Sequence, residues 1–418
     1  MEYFVKKRRS FFVLSALFLS VLGFSVCASG CKSSEKTRGI ENRGTITGGT
    51  VVSTYIRTWP IEPSYQKGSP YWNADMVNAG YLTDLNIAFA LIDGNDKHTI
   101  YIPELRSPPM FSNIWDEVTA LKKKHPQLKV NISVGGWGAD HFSDMAHDPS
   151  LRAQFVAGVI DWLERYNLDG ADIDWEYPVG PSWGQEIKSR PEDAANYITL
   201  LRDLRNAMNT LGAKTGKYYS VSTAVPASSW FTSAIDVVAA ANIVDALKLM
   251  SYDYYGGWSS TTGHLCNIFN NPNDPAWGGW STDQALQLYL DAGVPPKKIQ
   301  MGVAFYGRSF AGVQGGPNND GLFQPYGSIP FPENEGFVSW PQIEEFLKPG
   351  SGFTRYWDDV AKAPYLYNGN MWITYCDPEL IRNLAAYSKE KGLGGFFSWE
   401  FGTDMNADLL KSLAENAQ

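Results

Sequence analysis

The sequence predicts an α/β protein folded as a (β/α)8 TIM barrel, with a small α+β insertion subdomain between strand 7 and helix 7. Beyond residue 48, short β-branched or aromatic runs alternate with stretches of helical periodicity, without an internal repeat or a low-complexity tract. With 44% hydrophobic and 19% charged residues, the 418-residue chain can form a large core. This composition excludes a disordered chain, a collagen and a coiled coil.

Eight strands are predicted at intervals that leave room for a helix between consecutive strands. They span residues 50–56, 84–91, 128–134, 170–177, 218–224, 246–252, 299–306 and 394–399. Because a helix separates each strand from the next, the strands are expected to pair in parallel and to close into a ring.

The intervening helices are indicated by apolar residues three and four positions apart. One follows a start signal at Asp148-Pro149-Ser150 and places its apolar residues at Leu151, Phe155, Val159, Leu163 and Tyr166. A second is predicted over 194–209. The connection 309–370 is too long for a loop between a strand and a helix, so we expect it to form the insertion on the barrel's active face.

The N-terminal segment has the pattern of an export signal over residues 1–30. Four basic residues at positions 6–9 precede an apolar run over 11–26 that is short for a transmembrane span. The sequence Ala28-Ser29-Gly30-Cys31 resembles a bacterial lipoprotein signal with Cys31 as the lipid anchor; Cys27 fits less well, and plain cleavage or an uncleaved anchor are the alternatives. Residues 31–47 are predicted to be a polar tether, and 48–418 the catalytic barrel domain.

The N-terminal segment, the net charge and the histidine and cysteine positions indicate where the protein is located and what it binds. We expect an exported monomer, anchored to the outer membrane or cell surface if it is lipidated and otherwise secreted. The net charge of −9 argues against nucleic acid as a partner. The five histidines lack metal-site spacing and no phosphate-binding loop occurs, so neither a metal nor a cofactor is expected. Whether Cys266 and Cys376 form a disulfide is left open.

The segment 169–178 carries the most specific chemical pattern in the chain. Asp172, Asp174 and Glu176 alternate with apolar residues, so in a strand the three carboxylates share one face. A polar surface strand would look the same, but the helical flanks favour a barrel strand whose acids point inward. Three carboxylates in a barrel interior are destabilising unless they are protonated or paired, which favours a functional role.

Neighbouring carboxylates cannot all ionise, so their pKa values are pushed apart and one of them keeps a proton near neutral pH. Glu176, nearest the rim, is the expected general acid, and Asp174 can contact either neighbour. Because Asp174 and Glu176 share a strand face, they cannot attack a glycosidic bond from opposite sides. Either a carboxylate elsewhere attacks, or a 2-acetamido group of the substrate supplies the nucleophile.

Residues 169–176 match the DGxDxDxE signature of glycoside hydrolase family 18, and the resemblance extends over nearly all of residues 50–410. Residues 131–137 resemble the family's strand three, which ends in SxGGW. Residues 250–253 are similar to its M-x-Y-D motif, and 302–308 to GxPFYGR, with Ala304 in place of Pro. Residues 394–400 resemble its last strand. Each motif lies at the C-terminal end of a predicted strand, where this barrel type places its chemistry.

The resemblance implies a catalytic set of Glu176, Asp174, Asp172 and Tyr252. Glu176 would protonate the leaving oxygen and then activate water, Asp174 would hold the acetamide N–H, and Tyr252 would orient the acetamide carbonyl. The residues implied in substrate binding are Tyr55, Gly136, Trp137, Tyr177, Met250, Asp253, Tyr306, Arg308 and Trp399. Strict strand alternation would point Asp253 away from the cleft, so its role requires the strand to curl or end there.

The resemblance further implies a chitinase that cleaves β-1,4 bonds between N-acetylglucosamine units with retention of configuration. Two alternatives remain on the same barrel: an endo-β-N-acetylglucosaminidase acting on N-glycans, and a non-catalytic chitin-binding lectin. Such lectins lack the terminal glutamate, which is present here as Glu176. Members of the family carry non-proline cis peptide bonds beside the site, and Glu176–Tyr177 and Trp399–Glu400 are the candidates here.

Overall fold

The computed structural model describes residues 49–60, 71–95, 99–105, 111, 113–181, 183–275, 280–331 and 335–418. The predicted signal over 1–30 and the tether over 31–47, which includes Cys31, lie outside these residues. In the described part of the chain, no helix combines the length and the apolar character needed to cross a membrane.

Eight parallel strands close into a ring, which confirms the predicted barrel. In chain order they are β1 (Val51–Arg57), β2 (Asp84–Ile92), β4 (Lys129–Gly135), β5 (Gly170–Asp174), β6 (Ser220–Pro226), β7 (Ala246–Met250), β8 (Ile299–Ala304) and β14 (Gly395–Trp399). The ring closes because β1 pairs in parallel with both β2 and β14. A short strand β3 (Ile100–Tyr101) pairs antiparallel with β2.

Helices occupy the intervals between the strands. The helix Pro149–Arg165 begins where the sequence predicts it, because the Asp148 side chain accepts hydrogen bonds from the first free backbone N–H groups. Within the described ranges, the α-helices are Ile114–Lys124, Phe142–His147, Pro149–Arg165, Asp193–Thr215, Ser229–Ala234, Val237–Ile243, Thr282–Asp291, Trp340–Leu347, Pro378–Lys391 and Asp408–Asn416. The buried apolar residues of the helices Pro149–Arg165 and Asp193–Thr215 belong to the same core as those of the barrel strands.

Alternate residues of the barrel strands pack outward against these helices. Ile132 of β4, Ile173 of β5 and Leu249 of β7 are buried in this layer, and each contributes about 1.5–3 kcal/mol of hydrophobic stabilisation. The opposite faces of the same strands point into the barrel, where polar side chains replace the usual aliphatic ones. The alternation therefore separates the residues that build the fold from those that build the site.

A second sheet of five antiparallel strands follows β8. It consists of β9 (Tyr306–Phe310), β10 (Phe337–Ser339), β11 (Thr354–Asp358), β12 (Ala363–Tyr367) and β13 (Trp372–Tyr375), in the order β10-β9-β13-β12-β11. The sheet begins before and ends after the predicted insertion over 309–370. The predicted strand 299–306 is wrong at its end, since β8 stops at Ala304 and Tyr306 already pairs within the second sheet.

The second sheet has its own core and is tied to the segment after β7. Phe310 and Trp372 are buried together in this core. His264 Nε2 lies 2.9 Å from the Asp358 carboxylate. Cys266 and Cys376, whose pairing the sequence leaves open, are both buried free thiols.

Candidate active site

Strand β5 places two carboxylates in the barrel interior. Asp172 is 0% exposed and Asp174 is 5% exposed, whereas Ala171 and Ile173 between and beside them pack outward. The sequence-based strand 170–177 is too long, because β5 ends at Asp174. Glu176 therefore lies just past the strand end and is partly exposed. This position allows its carboxyl group to meet a ligand.

Asp172 is held by hydrogen bonds and one buried ion pair. The hydroxyls of Tyr55 and Ser133 donate to its Oδ2 at 2.6 Å and 2.8 Å, and the hydroxyl of Ser222 donates to Oδ1 at 2.6 Å. The ammonium of Lys248 lies 3.0 Å from the same Oδ1. Burial by itself would raise the pKa of Asp172, but Lys248 and the hydroxyl donors outweigh it and lower the pKa below its ordinary value.

Asp174 has the opposite environment. Its Oδ1 is buried without a hydrogen-bond partner. Burial, followed by the nearby charges of Glu176 and Asp172, raises the pKa of Asp174 well above its ordinary value. A neutral carboxyl with a free oxygen can donate its proton to one neighbour and later accept a hydrogen bond from a ligand.

Glu176 is tuned to hold its proton near neutral pH. Burial is the main cause that raises the pKa of Glu176 from 4.5 to about 7, and the Asp253 carboxylate adds to it, while a hydrogen bond from Tyr177 opposes both. A general acid works best when its pKa lies near the operating pH. The pKa values of the three carboxylates are thus spread apart, as the sequence pattern predicts.

Asp253 sits where the chain leaves β7. The predicted strand 246–252 ends early, at Met250, and Asp253 adopts a left-handed backbone with φ of 57°. Its two carboxylate oxygens each lie 3.2 Å from a guanidinium nitrogen of Arg308. Because β7 ends before Asp253, the alternation of side chains along a strand no longer applies to it, and its carboxylate can lie near Glu176. Tyr306 is buried beside this pair, and the Asp253 charge contributes, after burial, to raising the pKa of Tyr306.

Aromatic rings form one side of the site around Trp399. Trp399 is half-buried and stacks on Phe89 at 5.4 Å between ring centroids, with an angle of 15° between the planes. Tyr55 lies 5.6 Å from the same indole. Tyr252 packs against Phe397 at 6.1 Å. Met250 borders this cluster as well, so the residues implied in sugar binding do converge here.

A second aromatic group lies at the ends of β4 and β5. Trp137 is 50% exposed and follows Gly136, whose φ of 93° and close approach to the Phe89 ring leave no room for a side chain. Trp183 is 55% exposed and lies 6.3 Å from Trp137 between ring centroids. Trp183 also contacts Tyr177 at 5.8 Å. Together these rings present an open apolar surface beside Glu176.

The loop that carries Trp183 is fixed at both ends. Near its start, Gly180 has a φ of 100° and passes so close to the Trp230 ring that a Cβ would lie 2.4 Å from it. Near its end, Lys188 Nζ lies 2.6 Å from Asp144 Oδ1, and Arg190 binds the same carboxylate. These hydrogen bonds lower the pKa of Asp144 to about 2. These contacts hold the chain on both sides of Trp183.

Sequence reasoning missed several residues of this site. Lys248 has the same inward parity as Met250, but a single lysine in an apolar strand gave no distinct signal. Ser222 and Trp183 belong to no motif, and only the folded ring brings them to the carboxylates or to Trp137. Both peptide bonds expected to be cis, Glu176–Tyr177 and Trp399–Glu400, are cis, and Ala88–Phe89 is a third.

Comparison with known proteins gives a consistent result. The family model "Glycosyl hydrolases family 18" matches residues 52–404. Chitinase A1 of Niallia circulans is 37% identical over 313 residues, which are 73% of this chain and 44% of that protein. An endochitinase of Manduca sexta is 29% identical over 84% of this chain and 63% of its own length. The chain thus spans less than two thirds of these relatives.

Solved structures resemble the fold over most of the chain. Chitinase ChiA74 from Bacillus thuringiensis superposes with a TM-score of 0.79 at 29% identity, covering 88% of this chain and 69% of that one. A family 18 N-acetylglucosaminidase from Paenibacillus barengoltzii gives a TM-score of 0.74 at 30% identity, covering 88% of this chain and 99% of that one.

Proposed function

Because the chain belongs to glycosyl hydrolase family 18, we propose that it hydrolyses the β-1,4 bonds between N-acetylglucosamine units in chitin and chitooligosaccharides. The observation that carries this proposal is that Glu176, with a pKa raised to about 7, lies on the same side of the barrel as buried Asp174, whose Oδ1 has no hydrogen-bond partner. An acid thus lies beside a carboxylate that can accept a hydrogen bond from the substrate and balance a positive charge, with exposed aromatic rings next to both.

The nucleophile comes from the substrate. Two further carboxylates near the aromatic rings are each committed to an arginine: Asp253 to Arg308, and Glu400 to Arg57, with 2.6 Å between Arg57 Nη2 and Glu400 Oε1. Neither is free to attack an anomeric carbon. The carbonyl oxygen of a 2-acetamido group can reach that carbon from within the bound sugar, which supports a retaining, substrate-assisted reaction.

The reaction then takes two steps. Glu176 gives its proton to the glycosidic oxygen as the acetamide oxygen bonds to the anomeric carbon and the C–O bond to the leaving sugar breaks. Asp174 is ionised in this step, because the proton that it shares with Glu176 lies on Glu176; it accepts a hydrogen bond from the acetamide N–H and offsets the positive charge of the resulting oxazolinium ring, while Tyr252 donates to the acetamide oxygen. Glu176, now ionised, takes a proton from water, whose oxygen bonds to the same carbon and reopens the ring.

The aromatic groups define the path of the polymer. Trp399 would lie under the sugar whose bond is broken, and Trp137 under the sugar on the leaving side. Trp183, beside Trp137 and equally open, extends that surface by one more ring. Flat sugar faces stack on such rings.

The test is a time course of products from chitin and from short chitooligosaccharides, with wild type and Glu176→Gln. Wild type should release short oligomers, and Glu176→Gln should abolish turnover yet still bind the oligomers. Glu164→Gln, on the exposed surface of a helix, is the matched control and should keep full activity. Near-normal turnover by Glu176→Gln would refute the assignment of the acid.

The same assay, with a glycoprotein added as a third substrate, separates the family's other activities. An N-acetylglucosaminidase would release single sugars from oligomers, and an endo-β-N-acetylglucosaminidase would cut a glycoprotein but leave a chitin oligomer intact. The exposed rings near Glu176 support a polymer of sugars as the ligand, because a substrate with one terminal sugar needs none of the second aromatic group.

We also propose that the protein is an exported monomer, anchored through a lipid on Cys31. The support is the basic, apolar and small-residue pattern of residues 1–31. Expression of the full chain with a labelled fatty acid should give a labelled protein in the membrane fraction, and Cys31→Ala should lose the label, whereas Cys27→Ala should keep it. Labelled Cys31→Ala protein would contradict this site.

A further inference from the structure

A lysine lies inside the barrel, directly beneath the proposed catalytic carboxylates. Lys248 occupies the middle of β7 and is 3% exposed. Its strand neighbours Leu247 and Leu249 pack outward into the core, so its own side chain points into the ring. Lysine is among the residues that are least often fully buried, and its presence here needs a reason.

The ammonium of Lys248 has two partners, and both belong to the site. Nζ lies 3.0 Å from Oδ1 of Asp172, which is itself 0% exposed. It also lies 4.7 Å from the centroid of the Tyr55 ring. Because the hydroxyl of Tyr55 donates to the other oxygen of Asp172, the three groups form a closed unit in which the carboxylate is held as an anion.

Polar groups from several strands of the barrel surround Lys248 and Asp172. Among the described residues, Lys248 is the one cation bound to Asp172. Ser133 on β4 and Ser222 on β6 donate to Asp172, and Gln300 on β8 is the register partner of Lys248. The acidic neighbours are Asp174, at the end of β5, and Glu176, two residues further on. The ionisable hydroxyls are those of Tyr55 and Tyr252. The pKa values of both tyrosines are raised well above the ordinary value for tyrosine, mainly by burial, so both hydroxyls are neutral.

The charge on Arg57, also on β1, is taken by Glu400. Among the described residues of the barrel interior, Lys248 is therefore the cation that is bound to Asp172.

We propose that Lys248 is a positioning residue for the reaction: by holding Asp172 as an anion, it confines the shared proton of the three carboxylates to Asp174 and Glu176. The proposal rests on the proposed function, because it assigns Lys248 to the same carboxylates. A purely structural role is disfavoured by cost, since a buried ion pair stabilises a fold no better than apolar residues of similar volume.

Removing the charge has a defined direction. Without Lys248, Asp172 would lose the cation that lowers its pKa, and Asp174 would lose the effect that limits the rise of its own pKa. All protons would then bind more tightly to the three carboxylates. The second proton, which inactivates the enzyme at low pH, would be taken up at a higher pH, and the last proton would be lost at a higher pH. Both limbs of the pH profile should move upward.

The experiment compares pH profiles of kcat/KM on a short aryl chitooligosaccharide for wild type, Lys248→Met and Lys248→Arg. The activity of Lys248→Met is expressed as a fraction of wild-type activity at each pH. This fraction should be roughly five- to tenfold lower at the midpoint of the wild-type acid limb than at the plateau, as expected for loss of an opposite charge at this distance. Lys248→Arg keeps the charge and should keep the wild-type limbs. Lys214→Met, which breaks an exposed pair with Glu164, is the control.

A second measurement covers the case in which Lys248→Met folds poorly. An unpaired, buried Asp172 would bind a proton in the folded state at a higher pH than in the unfolded chain, so the variant should be more stable at acid pH and lose stability as pH rises. The double variant Asp172→Asn/Lys248→Met should lack the part of this dependence that comes from Asp172 and keep only the part that Asp174 and Glu176 also give to wild type. Unchanged limbs in folded Lys248→Met, or a dependence of stability on pH equal to that of wild type, would overturn the proposal.

Failure of the proposed function looks different. Wild type would then turn over no chitooligosaccharide at any pH, whereas the dependence of stability on pH in Lys248→Met would still report on the pair.

Discussion

Replacing Glu176 by Gln should stabilise the folded protein at neutral pH while it abolishes turnover. The pKa of Glu176 is raised from 4.5 to about 7, mainly by burial. A raised carboxyl pKa means that the folded state binds a proton that the unfolded chain has already released between these two pH values. Stability is therefore lost as pH rises through this window. Gln resembles the protonated acid and removes the loss.

The magnitude follows from the shift. Each pKa unit corresponds to about 1.4 kcal/mol, and the shift of Glu176 would give about 3 kcal/mol for a fully enclosed group. Because Glu176 is partly exposed, solvent screening reduces the expected gain to about 2 kcal/mol. Urea unfolding of wild type and Glu176→Gln, measured from about pH 4 to about pH 8, should show a difference near zero at the acid end. The difference should grow to its full value above neutral pH.

Glu164→Gln, whose carboxylate is exposed on a helix, should show no such growth. A stability difference between wild type and Glu176→Gln that is constant across the range, or that favours wild type at neutral pH, would refute the argument from burial.

Three further predictions concern the cleft. Tyr252→Phe should lower kcat roughly 10- to 100-fold, because the acetamide oxygen loses a donor as it becomes charged, with little effect on oligomer binding. Trp183→Ala should lower kcat/KM roughly two- to tenfold for long oligomers but not for an aryl chitobioside, which does not reach that ring. Asp253→Asn removes a negative charge that raises the pKa of Glu176, so the alkaline limb of the pH profile should move to lower pH.

The controls for these variants use groups outside the cleft. Tyr218 is an exposed aromatic residue two positions before β6. Tyr218→Ala should leave the ratio of kcat/KM between long and short substrates unchanged. Equal losses of Trp183→Ala on both substrates, an unchanged kcat in Tyr252→Phe, or an alkaline limb that stays in place in Asp253→Asn would each contradict the corresponding role.

The barrel could be predicted from sequence because strand and helix periodicities alternate along the chain. All eight predicted strands overlap the observed ones, but four of their C-terminal ends are wrong by two or three residues, and β6 lies two residues later than predicted, at Ser220–Pro226. Strands β5, β7 and β8 stop two or three residues early, at Asp174, Met250 and Ala304. Where a strand ends depends on pairing with neighbours that are distant in sequence, and local propensity does not contain that information.

The carboxylates of the site were visible in the sequence because their spacing is a strand period. Lys248 was not, since it belongs to no motif and the sequence does not show which carboxylate an inward lysine on this strand would meet. Its meaning depends on Asp172, 76 residues earlier in the sequence, which only the closed ring brings within 3.0 Å. Trp183 was missed for a similar reason, because its place beside Trp137 depends on a loop held by Gly180 and by the ion pairs of Asp144.

The role of the substrate's acetamide as the nucleophile is tested most directly with two chitooligosaccharides. They differ by one acetyl group on the sugar whose bond is to be cut. If the substrate's amide closes on the anomeric carbon, the acetylated oligomer is cleaved with retained configuration and its deacetylated twin stays intact. Cleavage of both at similar rates would mean that a side chain of the protein performs the attack.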